Sequence, residues 1–249
     1  MKSLGKNRLT LYDYHVFRQF VQPGEVTEVR IPKIFGRSKA WGDGFAKGTV
    51  SGYFDDHEKL CKALKEADET NHCGIYFTLQ VIDPRLIGRA FNRLRPSDLT
   101  TSDQNVIAYR WLPIDIDPVR PSGISSSQTE LGEACRLSKP VSQYIRKKMN
   151  FPSPITGMSG NGVHLLFRLP DIPVTEENKL FIKSTLEELA DRFNTEKVMI
   201  DTAVFNPARI WKLYGTTSKK GDFVPVGKNR EERPHRDSYI FSLGAEDNG

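Results

Sequence analysis

Between residues 111 and 204 the hydrophobic period switches at every element, and this succession narrows the possible folds more than any other feature of the chain. WLPIDID, residues 111–117, alternates as a strand does. Residues 127–148 place Leu131, Ala134, Val141 and Ile145 at helical spacing, although Pro140 should break or kink that helix. Residues 153–158 and 163–168 read as two strands, joined by Ser159-Gly160-Asn161-Gly162, whose Asn-Gly pair is a hairpin signal. Residues 175–193 read as a second helix with Ile182, Leu186, Leu189 and Phe193 inward, and residues 198–204 as a last strand. The order is β-α-β-β-α-β, a ferredoxin-like arrangement that also occurs in RNA-recognition folds and polymerase palms.

The chain before this unit reads as mixed α/β. VTEVRIP from Val26 and TVSGYF from Thr49 are expected strands. A helix starts at His57 with Asp55 or Asp56 as its cap and Leu60, Leu64 and Ala67 on one face. GIYFTLQV from Gly74 is read as one strand, followed by a short helix opened by Asp83-Pro84 and running through Leu94. The polar loop from Arg95 marks the boundary between two modules, approximately 1–105 and 106–249, of a single catalytic core. The fold class expected is α+β, with an N-terminal α/β module packed on the β-α-β-β-α-β module and a cleft between them.

In the usual strand order 4-1-3-2, the first strand lies between the third and the fourth. Asp115 and Asp117 are two apart on the first strand and share one face, while Ile114 and Ile116 point to the other. His164 falls on the third strand and Asp201 on the fourth. Two close carboxylates in a core sheet repel, and burying charge is costly. A divalent cation removes both objections. Mg2+ or Mn2+ prefers carboxylate oxygen and keeps positions open for substrate phosphates, so Asp115, Asp117 and Asp201 are candidate ligands for two ions that drive phosphoryl transfer. Singly, each signal has a plainer reading: a strand-end turn before Pro118, an ordinary hairpin at 159–162, a core imidazole at His164, a cap at Asp201. Their agreement on one face of one sheet carries the reading.

Ser159, Gly160, Asn161 and Gly162 are candidate triphosphate contacts through backbone N–H groups and the hydroxyl, and His164 can reach the same phosphates. PARIWKLYGT from Pro207 reads as a strand after Asp201. Arg209 and Lys212, three apart on it, are expected on opposite faces, one serving the nucleotide and the other the template.

The net charge of +5 and a pI near 9.0 permit a polyanionic partner, and the basic residues are concentrated at 85–95, 146–148 and 209–236. Cys61, Cys73 and Cys135 are sparse and contain no C-x-x-C pair, which argues against a disulfide framework. His57 with Cys61 and His72 with Cys73 lack a recurrent zinc spacing. No run approaches the ~18 apolar residues of a membrane span, and the start resembles no signal peptide, so the expectation is an intracellular, cytoplasmic protein.

These motifs resemble the archaeo-eukaryotic primase superfamily, and within it the primase-polymerase domains of phages, plasmids and some CRISPR loci. LPIDID with Asp115 and Asp117, SGNGVH with Ser159 and His164, and MID with Asp201 match its three motifs in order, followed by a basic strand that looks like ARIWKLYGT. GYFDD, DIDPVRPSGISS and RPHR also look like the phage and plasmid branch. Four residues separate Ser159 from His164 where many relatives have one, a form similar to bacterial end-joining polymerases. The resemblance implies DNA primase and DNA polymerase activity with two Mg2+ or Mn2+ ions, nucleoside triphosphates, and a single-stranded DNA template and primer. Many relatives continue into a helicase domain; the end at Gly249 implies a stand-alone enzyme or an excised domain. An end-joining or repair polymerase is the nearest alternative. A nucleotidyl cyclase would need base-binding residues and a dimeric site. A non-catalytic RNA-recognition module would carry stacking aromatics where this chain has Asp115, Asp117 and His164.

Overall fold

Two antiparallel sheets form the framework, and the chain passes between them five times. The computed structural model describes residues 8–228 and 230–244. The first sheet is built from β1 (Thr27–Arg37), β2 (Phe45–Phe54), β3 (Tyr76–Thr78) and β5 (Arg95–Pro96); the second begins with β4 (Val81–Ile82) and β6 (Val106–Pro118). Downstream come β7 (Ile155–Met158), β8 (Val163–Pro173), β9 (Val198–Ile200), β10 (Ile210–Lys212), β11 (Thr217–Ser218), β12 (Arg236–Asp237) and β13 (Tyr239–Ser242). The helices are α1 (Tyr14–Phe20), α2 (His57–Asp68), α3 (Gln128–Met149) and α4 (Glu176–Phe193). The five-stranded sheet has the order β10-β3-β1-β2-β5, and the other runs β13-β7-β8-β6-β4 with β9 also paired to β6. The class is α+β.

Within the second sheet the β-α-β-β-α-β unit is β6-α3-β7-β8-α4-β9, and its order β9-β6-β8-β7 is the 4-1-3-2 usual for that succession. β6 is long enough to serve two partners on one edge. Its start pairs with β4 and its end with β9, through Ile116↔Ile200 and Asp117↔Met199. Ile114 and Ile116 are fully buried on the face covered by α3 and α4.

The segment from Gly74 is two strands, not one. β3 belongs to the first sheet and β4 to the second, and Gln80 makes the crossing. Its buried amide oxygen accepts from the N–H groups of Arg110 (2.8 Å) and Trp111 (3.0 Å), and its amide nitrogen donates to the Trp111 carbonyl. The side chain thus satisfies the ladder of β6 where no backbone neighbour does. After β9, β10 brings the chain back to the first sheet, pairing with β3. A buried guanidinium ties the N-terminal part to the second sheet: Arg110 on β6 donates to Glu25, Asp171 and the Phe20 carbonyl.

Asp56 caps α2, and Leu60, Leu64 and Ala67 are its buried face. Asp83 caps a 3₁₀ helix that ends at Arg89, short of Leu94, and the polar loop after it is no free linker. Arg95 and Pro96 join the edge of β2, and Thr101 is buried with its N–H on Glu28. Ser127 and Glu130 cap α3 reciprocally, and the helix runs unbroken through Pro140. Pro140 sits on the exposed face, so the carbonyl it leaves without a partner one turn back faces water. Among the described residues no helix is long and apolar enough to cross a membrane.

Candidate active site

β6 and β8 bring Asp115 opposite His164, and Gly157 of β7 completes the row. Directly paired residues share a face, so these three lie on the side away from α3. Two glycines on this face are there for space. A Cβ at Gly157 would sit 2.6 Å from the Tyr214 ring, and one at Gly162 would sit 2.4 Å from an Asp117 oxygen and 2.7 Å from the Ile116 carbonyl. Gly157 therefore admits Tyr214 over the sheet, and Gly162 lets Asp117 lie against the hairpin.

Tyr214 orients the histidine. Trp211 Nε1 donates to the Tyr214 hydroxyl at 3.1 Å, and that hydroxyl lies 2.8 Å from His164 Nδ1. Trp211 Nε1, the Tyr214 hydroxyl and Nδ1 are all satisfied when the hydroxyl proton goes to Nδ1, which leaves the ring proton on Nε2. The His164 ring also packs 4.1 Å from Trp211. Nε2 faces Asp115 Oδ1 at 3.5 Å, which is too long for a hydrogen bond. The pair is not an ion pair either. Burial, then the nearby Lys212 charge, lowers the His164 pKa to about 3. Burial, then Asp117 and then Asp201, raises the Asp115 pKa well above the carboxylate range, against the pull of Lys220 and Arg209. Asp115 Oδ1 is buried without a hydrogen-bond partner. A hard cation fits that atom: it would supply the missing partner and cancel the repulsion that raises Asp115. Among the described residues no three His, Cys, Asp or Glu side chains are already gathered as a ligand cluster.

Asp201 explains why. β9 ends at Ile200, and Asp201 begins a 3₁₀ turn, with Oδ1 accepting from Ala203 N at 2.8 Å. Its backbone N–H bonds the Asp115 carbonyl at 2.9 Å, so it stands beside the pair. Its other oxygen accepts from Arg209 Nη2 at 3.1 Å. Arg209 is therefore the group that must shift for Asp201 to ligate an ion.

Asp115, Asp117, Ser159, Asn161, His164, Arg209 and Lys212 line one pocket. Arg209 and Lys212 reach it together, contrary to the expectation of opposite faces, because Arg209 lies in the turn before β10, its N–H on the Asn206 carbonyl. Lys212 Nζ is buried and donates to Thr216 Oγ1 (2.7 Å) and the Thr217 carbonyl (3.0 Å). Burial lowers its pKa to about 7.

The hairpin does less for an anion than its sequence suggests. Ser159 Oγ accepts from Gly162 N (2.9 Å) and Asn161 N (3.4 Å), so these amides close the turn on themselves. Gly160 has φ +103° and a Cβ there would meet Ser218 at 2.4 Å, so β11 needs a glycine beside it. Asn161 is a staple: its oxygen accepts from Ser126 N and Oγ, and its nitrogen donates to the Lys220 carbonyl at 3.1 Å. That bond holds Lys220 at the pocket. Lys220, Arg120, Tyr76 and Ser218 also line it. Arg120 is 3.8 Å from Asp117. Only the basic run through Lys219 and Lys220 and the DIDPVRPSG segment hinted at two of them.

The pocket encloses about 100 Å³, and an open cleft of about 690 Å³ adjoins it at Arg209 and Ile210. The first has room for ions and a few waters; only the second is of ligand size. A larger cavity of about 830 Å³, between α3 and β13, lies on the helix-covered face and holds none of these carboxylates.

The chain thus has an α+β fold with a carboxylate pair, a neutral histidine and four cationic side chains around one pocket. No protein-family model matches the sequence, and none of the curated proteins does. Among solved structures it is similar to the polymerase domain from Mycobacterium tuberculosis ligase D in complex with DNA, at a TM-score of 0.44 and 15% identity, over 91% of this chain and 79% of that one. Likeness of this degree decides nothing about activity.

Proposed function

We propose that the protein is a nucleotidyltransferase of the primase-polymerase kind, which extends a primer, and starts one, on a single-stranded DNA template from nucleoside triphosphates. The observation that carries this is Asp115. It is a buried carboxylate with an unpartnered oxygen, repelled by Asp117 and Asp201, with the cations of Arg209, Lys212 and Lys220 close by. A site that is short of positive charge at its floor and rich in it around the walls suits a metal-bound triphosphate.

Asp115 and Asp117 would hold Mg2+ or Mn2+, joined by Asp201 once Arg209 turns to the substrate. When bound, the ions supply charge neutralisation at the phosphates and favour the ionised 3′-hydroxyl. The chain's own groups do the rest. Lys212, Lys220 and Arg209 bind the triphosphate, and its charge keeps Lys212 protonated. His164, fixed by Tyr214, presents Nε2–H to a phosphate oxygen, a fixed dipole that needs no reorganisation. In the reaction the 3′-oxygen bonds the α-phosphorus, the bond to the bridging oxygen breaks, pyrophosphate leaves, and the hydroxyl proton passes to solvent.

The test is incorporation of γ-labelled and α-labelled triphosphates on single-stranded DNA, with and without a primer. Retained γ-label means initiation. Incorporation of α-label only with a primer means a repair-type polymerase. No incorporation under any template, with Mg2+ or Mn2+, overturns the proposal.

A further inference from the structure

The β1–β2 hairpin projects an exposed aromatic and basic face that the proposed chemistry does not use. Register places Phe35 opposite Lys47 and Arg37 opposite Phe45, so all four share one face. All four are exposed, Phe35 at 73% and Phe45 at 50%. The two rings meet edge to face at 5.2 Å. On the other face Ile34 and Ala46 are buried, so the hairpin is anchored and its aromatics are not core residues turned outward. Two large apolar rings held in water beside cations are costly unless something covers them.

The same face continues to the pocket. Between Ile31 and Ile34 a bulge puts one extra residue in β1, so Arg30 and Phe35 fall on one side. Arg30 is paired with Tyr76, and Tyr76 with Lys212. Arg30 lines the open cleft with Arg209, and Tyr76 and Lys212 line the carboxylate pocket. From Arg30 to Arg37 the strand covers roughly 23 Å at ~3.3 Å per residue. Asp43 lies in the hairpin's own turn, its carbonyl accepting from Arg37 Nη1, and Glu66 on α2 and Glu69 just after it share a cleft with Ile34, Trp41, Phe35 and Arg37.

We infer that this face is a guide for single-stranded DNA, in which Phe35 and Phe45 stack on bases and Arg37 and Lys47 contact the backbone. Alternating cations and aromatics match a strand's alternating phosphates and bases. A protein partner or a second copy would use the rings but has no need of the paired cations. The inference rests on the proposed function only in naming the bound strand as the template.

Fluorescence anisotropy of a labelled oligothymidine with the full chain tests it, without nucleotide or metal. Phe35→Ala with Phe45→Ala is expected to weaken binding about tenfold or more, since each stacked base contributes ~5- to 150-fold, and to leave the salt slope unchanged. Arg37→Ala with Lys47→Ala should also weaken binding and flatten that slope by ~1.4, at ~0.7 per phosphate contact. Leu180→Ala on α4, equally exposed, should change nothing. Affinity within twofold of the unaltered protein for the double phenylalanine variant overturns the inference. Equal weakening toward blunt duplex overturns it too, because stacking needs open bases. So does a change in oligomeric state with DNA affinity intact, which would mark a self-association face. Failure here leaves the carboxylate chemistry standing, because no turnover is measured.

Discussion

Gly162→Ala is a one-methyl change aimed at the carboxylates without removing any of them. The added Cβ would lie 2.4 Å from Asp117 Oδ1 and 2.7 Å from the Ile116 carbonyl. The carboxylate must retreat about 0.6 Å to reach the shortest tolerated contact and about 1 Å for an ordinary one. The Asp117 side chain can swing away, while the contact with the Ile116 carbonyl, part of the backbone of a central strand, requires the hairpin to shift by about 0.3 Å as well. Overpacking of this kind costs ~1–3 kcal/mol, or a fall of roughly 2–12 °C in melting temperature for a chain of this size at ~2–4 °C per kcal/mol. A displacement of 1 Å at a reacting centre can cost ~100-fold in rate. The expected outcome is therefore a folded protein, by circular dichroism and thermal melting, whose single-nucleotide incorporation falls about a hundredfold. Full activity with an unchanged melting temperature would refute the claim that Asp117 is held against the hairpin by the absence of a side chain.

Tyr214→Phe removes the hydroxyl between Trp211 Nε1 and His164 Nδ1; expect a loss of ~1–3 kcal/mol per buried polar group left unpaired, seen in chemical denaturation, and a rise in nucleotide KM as His164 loses its orientation. Lys212 is protonated below its pKa of about 7 and neutral above it, so kcat/KM for nucleotide should fall as pH rises through 7, and Lys212→Arg should remove that limb of the profile. Arg110→Met leaves Glu25 without its guanidinium and Asp171 with Arg168 alone; both carboxylates are partly exposed, so denaturant unfolding should show a loss of ~1–3 kcal/mol.

The second half of the fold was legible because its elements carry a clean period, Leu131, Ala134, Val141 and Ile145 on α3 and Ile182, Leu186 and Leu189 on α4, and because the Asn161-Gly162 turn marks the hairpin. The usual order for that succession made the strands of Asp115 and His164 neighbours, and the β6–β8 register sets the two residues opposite each other. What the sequence hid were places where a side chain substitutes for backbone. Gln80 looks like an ordinary strand residue in GIYFTLQV, yet its amide fills a gap in the ladder of β6 and lets the chain change sheets. Residues 198–204 read as one strand with Asp201 inside it, but the turn capped by Asp201 ends the strand at Ile200, four residues earlier, and turns one carboxylate oxygen to Arg209. The same turn puts Arg209 before β10, which is why strand parity misplaced it relative to Lys212. Asn161 carries no periodicity signal at all; its role depends on Ser126 and Lys220, which are remote in sequence and meet only in the fold.

The most direct test of the central claim is incorporation of one nucleotide onto a primer annealed to templates that differ in a single base, with Mg2+ or Mn2+, by the unaltered protein and by Asp117→Asn. The account predicts addition of the nucleotide complementary to each template base, and loss of all addition in the Asn variant while its melting temperature without metal stays equal or rises slightly, since a repulsion is removed and little packing changes. Addition by Asp117→Asn at the unaltered rate, or addition that ignores the template base, would contradict it.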